Sequence, residues 1–251
     1  MTNNIIFEGL ESLPPGRPLI LQGSVRNHIF NYRVHKDLIL EQLFDFLLNE
    51  KQAPFLLVPA FTFSVFKSLT YSREQDSEIG YISKYVTKHL HYTRTYHPMY
   101  SFYIVTNTPT SALKHLSQLD TEFCFGTNTC FDFLVQSDGL QVCLNLSDAK
   151  CMTFYHHAEK LIGATHRFEK VFFVNNGASG HETAASVYVR KPGILTDVSG
   201  VEQLMWRENI WHGLRPASTS PSERWCSLKE CIGLFTNMDP ETHKDLLYRV
   251  E

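Results

Sequence analysis

The sequence lacks the features of membrane-embedded, secreted or nucleic-acid-binding proteins. Its 251 residues contain no apolar run long enough to span a bilayer. The first residues have neither the basic region nor the apolar core of a signal peptide, so we expect a cytoplasmic protein without membrane contact. With 23 lysines and arginines against 26 aspartates and glutamates, the formal net charge is −3. We therefore expect no general attraction to nucleic acid or to an anionic membrane.

Cysteine is scarce, and the spacings of common metal sites are missing. Six cysteines, several of them within apolar runs such as Val142-Cys143-Leu144, indicate reduced thiols in the core rather than a disulfide framework. Neither Cys-x-x-Cys nor His-Glu-x-x-His occurs, so we expect no metal site. A nucleophilic cysteine paired with one of the 12 histidines remains an alternative.

The chain reads as one large α/β domain. A hydrophobic content of 43% with 20% charged residues is typical of a globular protein. Residues 18–22 and 55–58 are short apolar strands, and residues 37–50 between them have a helical apolar stripe, with Asp37 as the expected N-cap. Strand, helix and strand at these lengths favour a layered α/β fold. Further strands are predicted at 101–105, 140–144, 171–174 and 186–189, and further helices at 79–91, 110–119 and 152–162. Residues 1–17 are predicted to form a polar N-terminal arm, and residues 175–180 and 215–222 loops.

Residues 152–163 carry the chemistry that the sequence offers most directly. Apolar side chains recur there at helical spacing, and Gly163 stands where a left-handed residue ends a helix. Thr153, His156 and Glu159 are successive i, i+3 neighbours, so they converge on one patch. An imidazole with an orienting carboxylate can act as a general base near neutral pH. A solvated histidine–glutamate pair is the alternative that this helix alone leaves open.

Three segments in series resemble the aminoglycoside 3-N-acetyltransferase family. Residues 58–63 (Val-Pro-Ala-Phe-Thr-Phe) are similar to its strand-ending Pro-Thr-Phe-Thr, and residues 96–101 (Tyr-His-Pro-Met-Tyr-Ser) to its His-Pro-x-His-Ser. The third segment runs from residues 125–131 (Phe-Gly-Thr-Asn-Thr-Cys-Phe) to residues 153–159 (Thr-Phe-Tyr-His-His-Ala-Glu). The resemblance covers about residues 18–170, and residues 171–251 diverge from the drug-modifying members.

The resemblance implies a fold and an activity. The implied fold is a mixed central sheet with helices on both faces, in a single acyltransferase domain (18–251) with a C-terminal elaboration. The implied activity is transfer of an acyl group from acyl-coenzyme A, acetyl or longer, to the primary amine of an amino sugar. His156 matches the catalytic histidine and Glu159 its carboxylate partner.

The positions expected to contact the coenzyme come partly from the resemblance and partly from the chemistry of the turns. The resemblance points to Ser24 for the pyrophosphate, to Phe61 and Thr62 for the acyl and pantetheine channel, and to Thr153 at the start of the histidine motif. The turn after the first strand adds the guanidinium of Arg26, and Ser101 or a backbone N–H near Phe61 could stabilise the oxyanion. Two positions depart from the family pattern: Gln22-Gly23 replaces its usual His-Ser or Ser-Ser, and Tyr100 its second motif histidine.

The expected mechanism is direct transfer, in which neutral His156 takes a proton from the attacking amine. Our main hypothesis for the acceptor is a nucleotide-linked aminodeoxy sugar for cell-surface glycans. It rests on cations that could receive a diphosphate in the divergent part, namely Arg190, Lys191, Arg207, Arg215 and Arg224. The alternatives are an aminoglycoside acetyltransferase conferring antibiotic resistance and a catalytically inactive binding module. A homodimer is compatible with all three.

Overall fold

The computed structural model describes residues 4–108, 111–119, 122–177, 180–239 and 243–250. Its strands are β1 (Leu19–Gly23), β2 (Leu56–Pro59), β3 (Thr70–Tyr71), β4 (Tyr92–Arg94), β5 (Phe102–Val105), β6 (Leu140–Leu144), β7 (Arg167–Asn176), β8 (Glu182–Arg190), β9 (Ile194–Thr196), β10 (His212–Gly213), β11 (Glu223–Ser227) and β12 (Tyr248–Val250). Its α-helices are α1 (Arg26–Tyr32), α2 (Lys36–Asp45), α3 (Val65–Ser68), α4 (Tyr81–His89), α5 (Ser111–Leu116), α6 (Cys130–Gln136), α7 (Asp148–Cys151), α8 (Phe154–Leu161), α9 (Ser199–Arg207) and α10 (Leu228–Thr236).

A seven-stranded sheet in the order β10-β11-β6-β1-β2-β5-β4 forms the centre of the fold. Strand β1 pairs in parallel with both β2 and β6, whereas β5, β4, β11 and β10 join as antiparallel neighbours. The carboxyl ends of the three parallel strands therefore meet at one edge, where open α/β sheets bind ligands.

Helices cover both faces of this sheet. Alternate residues of a strand point to opposite faces, so Ile20 of β1 joins one apolar cluster while Leu19 and Leu21 join the other. The first cluster takes buried side chains from α6, α8 and α10, and the second from α2 and α4. This arrangement confirms the predicted single α/β domain with a mixed central sheet and helices on both faces.

Several predicted boundaries differ from the observed ones. Helix α2 begins at Lys36, one residue before the position predicted, and its N-cap is His35, whose side chain accepts a hydrogen bond from the Asp37 N–H at 3.3 Å. The prediction of Asp37 as the cap is wrong, because its backbone N–H lies inside the first turn and needs an acceptor. A π-helical turn, Phe46–Glu50, continues α2 to the predicted end. Of the predicted helix at 110–119, residue 110 lies outside the described part of the chain.

The predicted strands at 171–174 and 186–189 belong to one long hairpin. Strands β7 and β8 pair over nine residues, from Arg167 opposite Arg190 to Asn175 opposite Glu182. The loop predicted at 175–180 therefore begins later than expected, since residues 175 and 176 are in β7, and residues 178 and 179 lie outside the described part of the chain. The hairpin buries Val174, Ala185 and Val187 in a third apolar cluster.

Two compositional expectations can be compared with the fold. All six cysteines are reduced and buried, which agrees with their interpretation as core residues. No helix within the described residues combines the length and apolar character needed to cross a membrane.

Candidate active site

The helix that carries His156 is fixed at the carboxyl edge of the central sheet. Phe154, Tyr155 and Ala158 are buried in the core and anchor one side of α8. At its start, the Thr153 hydroxyl accepts a hydrogen bond at 3.1 Å from Nε2 of Gln22, which lies near the end of β1. The helix ends before Gly163, whose φ of 69° is the left-handed conformation predicted there. The His156 side chain, 23% exposed, is left facing outward.

His156 and Glu159 form a hydrogen-bonded pair. Nδ1 of His156 donates to Oε2 of Glu159 at 3.0 Å, and the carboxylate is fully buried. Since a carboxylate can only accept, the proton of the neutral ring resides on Nδ1 and the lone pair on Nε2. Within the described residues, Nε2 has no hydrogen-bond partner, so it is available to a ligand.

Two residues that the sequence analysis missed complete the surroundings of this carboxylate. Nε2 of His166 donates to Oε1 of Glu159 at 3.1 Å, and Nε of Arg167 forms an ion pair with Oε2 at 2.7 Å. Both follow the turn at Gly163, which reverses the chain and brings the start of β7 back against α8. No motif or helical spacing signals this contact, because it depends on the direction of the chain after the turn.

The electrostatic surroundings favour a neutral imidazole and an ionised carboxylate. Loss of solvent lowers the pKa of His156, and the nearby charge of Arg167 lowers it further against the opposing effect of Glu159. Burial alone would raise the pKa of Glu159, but the hydrogen bonds from His156 and His166 and the charge of Arg167 bring it well below its ordinary value. The pair is therefore set up as a base with an anionic partner.

A cavity of about 770 Å³ opens in front of His156. One wall is aromatic and comes from the loop after β2, from α3 and from the loop before β5: Phe61, Phe63, Phe66 and Tyr100. The facing wall comes from the β7–β8 hairpin and the following turn, residues 187–194. The cavity thus lies between the central sheet and the hairpin, with His156, Thr153 and Gln22 at the sheet edge.

The charges that line the cavity are unequally compensated. The Asp148 carboxylate is fully buried, pairs with Arg224 at 2.8 Å and accepts from Tyr155, while Arg167 is neutralised by Glu159. Lys150, Arg190 and Lys191 also line the cavity, and none of the ion pairs found in the described parts of the chain includes them. The cavity therefore presents a positive field to a ligand.

The residues expected to contact the coenzyme fall into two groups. Phe61 and Thr153 line the cavity. Thr62 and Ser101 are fully buried behind it: the Thr62 hydroxyl donates to the carbonyl of Pro98, and the Ser101 hydroxyl donates to that of Ala60 at 3.1 Å. Their side chains are not among the described residues that line the cavity.

Ser24 and Arg26 lie beyond the end of β1 and outside the main cavity. The Ser24 hydroxyl accepts from the Arg26 N–H at 3.2 Å, and the exposed Arg26 guanidinium lies 5.6 Å from the Phe30 ring centre. The preceding residue, Gly23, lines a smaller cavity of about 120 Å³ that shares Gln22, Ile79 and Lys150 with the main one. The two residues are therefore near the coenzyme only if it extends past this smaller cavity.

Comparisons with known proteins provide evidence on the family and the fold of this chain. The sequence model of the family described as aminoglycoside 3-N-acetyltransferase matches residues 56–214, whereas no curated protein matches the sequence. The fold is similar to that of aminoglycoside acetyltransferase AAC(3)-Xa, with a TM-score of 0.69, 14% identity and coverage of 92% of this chain and 88% of that one. The YokD protein from Bacillus subtilis has a similar fold, with a TM-score of 0.65, 15% identity and coverage of 90% of this chain and 92% of that one. A mutant of AAC(3)-IVa in complex with a gentamicin matches with a TM-score of 0.66, 12% identity and coverage of 92% of this chain and 88% of that one.

Proposed function

This chain belongs to the aminoglycoside 3-N-acetyltransferase family, and on that premise we propose that it transfers an acyl group from acetyl-coenzyme A to a primary amine of an amino sugar. The observation that carries the proposal is the His156–Glu159 pair, whose free Nε2 faces a cavity at the carboxyl edge of the sheet. The solved structures share the fold of this chain but little of its sequence, so they are evidence for the fold alone. The proposed chemistry therefore rests on the family and on this geometry.

The cavity suits the two substrates of such a reaction. Its volume of about 770 Å³ lies within the roughly 300–1,000 Å³ that ligand pockets usually have. The aromatic wall offers an apolar surface for the acyl group and the pantetheine arm, and Lys150 offers a cation for a phosphate where the main and smaller cavities join. These features support coenzyme A as co-substrate.

In the proposed reaction His156 acts as the general base. An ammonium group has no lone pair for attack, so the acceptor must react as the neutral amine, and its nitrogen loses a further proton to Nε2 as the amide bond forms. The buried Glu159 carboxylate holds the ring and stabilises the imidazolium that forms. Because a thiolate is a good leaving group, direct attack on the thioester needs no covalent enzyme intermediate.

The family relationship favours an aminoglycoside acceptor. One structural neighbour was solved in complex with a gentamicin, and we propose the same substrate class here. Carboxylates that could receive a polyamine lie on the exposed loop that leads to the cavity residue Ile79, namely Asp76 and Glu78. The Glu78 carboxylate also accepts a hydrogen bond from the Ser64 N–H at 2.9 Å, which ties this loop to the turn that carries Phe63.

One observation favours a second candidate, an amino sugar linked to a nucleotide. The cavity presents Lys150, Arg190 and Lys191 without ion-pair partners in the described residues, which would repel a polycation and attract a diphosphate. The phosphate groups of coenzyme A could also account for part of this charge. A thiol-release assay with both classes of amine separates the two candidates.

The test is to follow thiol release from acetyl-coenzyme A with a panel of aminoglycosides and nucleotide-linked amino sugars. The class that turns over identifies the acceptor, and a lack of thiol release with every amine would support an inactive binding module. His156→Ala should reduce turnover by about 10²- to 10⁴-fold while coenzyme binding survives. The exposed His91 provides the matched control, since His91→Ala should leave turnover unchanged. A His156→Ala variant as fast as the wild type would rule out the proposed base.

A further inference from the structure

The hydroxyl of Tyr100 is a polar group of the cavity that the proposed mechanism leaves unused. Tyr100 lies in the loop between β4 and β5 and lines the same cavity as His156. The two other lining tyrosines are occupied, since Tyr155 donates to Asp148 and Tyr188 donates to the carbonyl of Ala164 at 2.8 Å. By contrast, Tyr100 makes no side-chain hydrogen bond with any residue that the structure describes.

Hydrogen bonds to the His97 side chain hold the backbone at Tyr100 in place. Nδ1 of the fully buried His97 accepts from the N–H groups of Met99 and Tyr100 at 3.2 and 3.0 Å. Its Nε2 donates to the carbonyl of Ser186 in β8 at 3.2 Å. Burial lowers the pKa of His97 to about 4, so the ring remains neutral and keeps this bonding pattern. Tyr100 is therefore presented by a rigid loop.

Aromatic rings surround the Tyr100 side chain and connect it to the base. Phe61 and Phe125 pack edge-on against it, with ring centres at 4.9 and 5.3 Å. Phe125 also packs edge-on against His156 at 5.6 Å, so Tyr100 and His156 both pack against the same buried ring. Loss of solvent raises the pKa of Tyr100, which means that its hydroxyl keeps its proton and acts as a hydrogen-bond donor.

We propose that Tyr100 is a further catalytic residue, which donates a hydrogen bond to the carbonyl oxygen of the bound thioester. The inference rests on the proposed acyl transfer. Of the oxyanion donors that the sequence suggested, the Ser101 hydroxyl donates to the carbonyl of Ala60 and the Thr62 N–H to that of Met99. Once a bound substrate has displaced water from the cavity, a donor flanked by apolar rings is well suited to stabilise negative charge, because the local dielectric is low.

The proposed step conserves atoms, electrons and charge. The acceptor enters this step as the neutral amine, its ammonium proton having gone to solvent. The amine nitrogen attacks the thioester carbon, and the carbonyl electron pair moves to the oxygen, which accepts the hydrogen bond from Tyr100. Nε2 of His156 takes the proton that the nitrogen loses. When the carbonyl re-forms, the carbon–sulfur bond breaks and its electron pair leaves on sulfur. The imidazolium returns the proton to that sulfur, so the products are an amide and the coenzyme A thiol.

Tyr100→Phe removes the donor and keeps the ring. We expect kcat to fall by about 10²- to 10³-fold, and KM for acetyl-coenzyme A to rise by no more than about 2- to 10-fold, the scale of one neutral hydrogen bond. Tyr100→His retains a donor and should recover part of the loss. Tyr96→Phe is the matched control, because Tyr96 lies in the same loop, is 42% exposed and does not line the main cavity; it should retain wild-type kcat. Equal kcat in the wild type and Tyr100→Phe would overturn the proposal.

A binding measurement separates this inference from the proposed function. Only acetyl-coenzyme A has the carbonyl, so calorimetry should show that Tyr100→Phe weakens binding of acetyl-coenzyme A relative to free coenzyme A by about 2- to 10-fold. If the wild type binds acetyl-coenzyme A but acylates no amine, the proposed function fails and this ratio alone decides the role of Tyr100. If the wild type does not bind acetyl-coenzyme A, both proposals are overturned.

Discussion

Nε of Arg167 lies 2.7 Å from Oε2 of Glu159, the same oxygen that accepts the hydrogen bond from His156 Nδ1. The carboxylate is fully buried and would raise the proton affinity of the imidazole if its charge were uncompensated. The guanidinium supplies a fixed positive charge that balances it. The base therefore keeps an orienting hydrogen bond without being protonated at neutral pH.

The first prediction concerns the pH dependence of the rate. Because the pKa of His156 is lowered from its ordinary value of 6.5, the ring is neutral at pH 7, and kcat/KM should fall only as the pH drops through a value below 6.5. Arg167→Met removes the cation, which should raise the pKa of His156 and move this acidic limb to higher pH. A pH profile of thiol release measures both.

Arg167→Lys is the control for this prediction, since it keeps the charge and loses the planar group. We expect its acidic limb to stay near that of the wild type even if its rate is lower. An unchanged limb in Arg167→Met would contradict the electrostatic role that we assign to Arg167.

The second prediction concerns Glu159 itself. Glu159→Gln replaces a carboxylate that accepts hydrogen bonds from His156 and His166 and forms an ion pair with Arg167. The new amide has N–H groups of its own. Because the substitution leaves a buried cation uncompensated, the free energy of unfolding measured in urea should fall by about 3–5 kcal/mol. Glu41→Gln, at an exposed position of α2, should change the free energy of unfolding little; equal effects of both substitutions would contradict the prediction.

The third prediction concerns the turn that ends β1. Gly23 has a φ of 137°, and a Cβ there would lie 2.3 Å from the carbonyl oxygen of Leu144 in β6. Gly23→Ala should therefore lower the free energy of unfolding by about 1–3 kcal/mol. Gly163→Ala is the matched comparison, because Gly163 also has a positive φ but nothing within 4 Å of the added atom. Gly23→Ala should be the more destabilising of the two in thermal unfolding.

The fourth prediction concerns the length of the acyl group. Phe63 lines the cavity and packs edge-on against Tyr100 at 5.7 Å. Phe63→Ala should widen the aromatic wall and raise kcat/KM for butyryl-coenzyme A relative to acetyl-coenzyme A by about 10-fold, the scale of one or two methylene contacts. The exposed Phe30, outside the cavity, provides a control, since Phe30→Ala should leave the ratio unchanged. An unaltered ratio in Phe63→Ala would show that another part of the cavity holds the acyl chain.

The fifth prediction concerns the cations of the β8–β9 turn. The double variant Arg190→Gln/Lys191→Gln should raise KM for a phosphate-bearing substrate by about 10-fold or more, on the scale of one or two charge-assisted hydrogen bonds. Acetylpantetheine lacks the nucleotide phosphates of acetyl-coenzyme A, so comparing the two donors with one neutral amine shows whether the coenzyme is the ligand. If KM changes for no donor and no phosphorylated acceptor, these cations bind neither substrate.

Local physics explains what could be predicted along the chain. Strands β1, β2 and β6 are apolar runs buried on both faces, and their short length and flanking turns identify them without knowledge of the fold. The i, i+3 spacing of His156 and Glu159 brings them together in any α-helix, and the structure has them hydrogen-bonded. Such relationships depend on residues only a few positions apart.

The surroundings of this pair depend on long-range packing. The family resemblance suggests Thr62 as a channel residue, and Ser101 is a candidate oxyanion donor. The loops after β2 and before β5 instead turn both hydroxyls toward backbone carbonyls. The β7–β8 hairpin supplies one wall of the cavity because it folds back over the sheet edge, which no periodicity within the hairpin indicates.

The sequence by itself determined the layers of the fold and the presence of a histidine with a carboxylate one helical turn away, because hydrophobic period and helical geometry act over short distances. Only the tertiary structure decided that the carboxylate is buried and also contacts His166 and Arg167. It also decided that Tyr100, Arg190 and Lys191 line the same cavity as His156. Those contacts come from packing between separate elements, and that packing sets the proton affinity of the base and the charge a substrate meets.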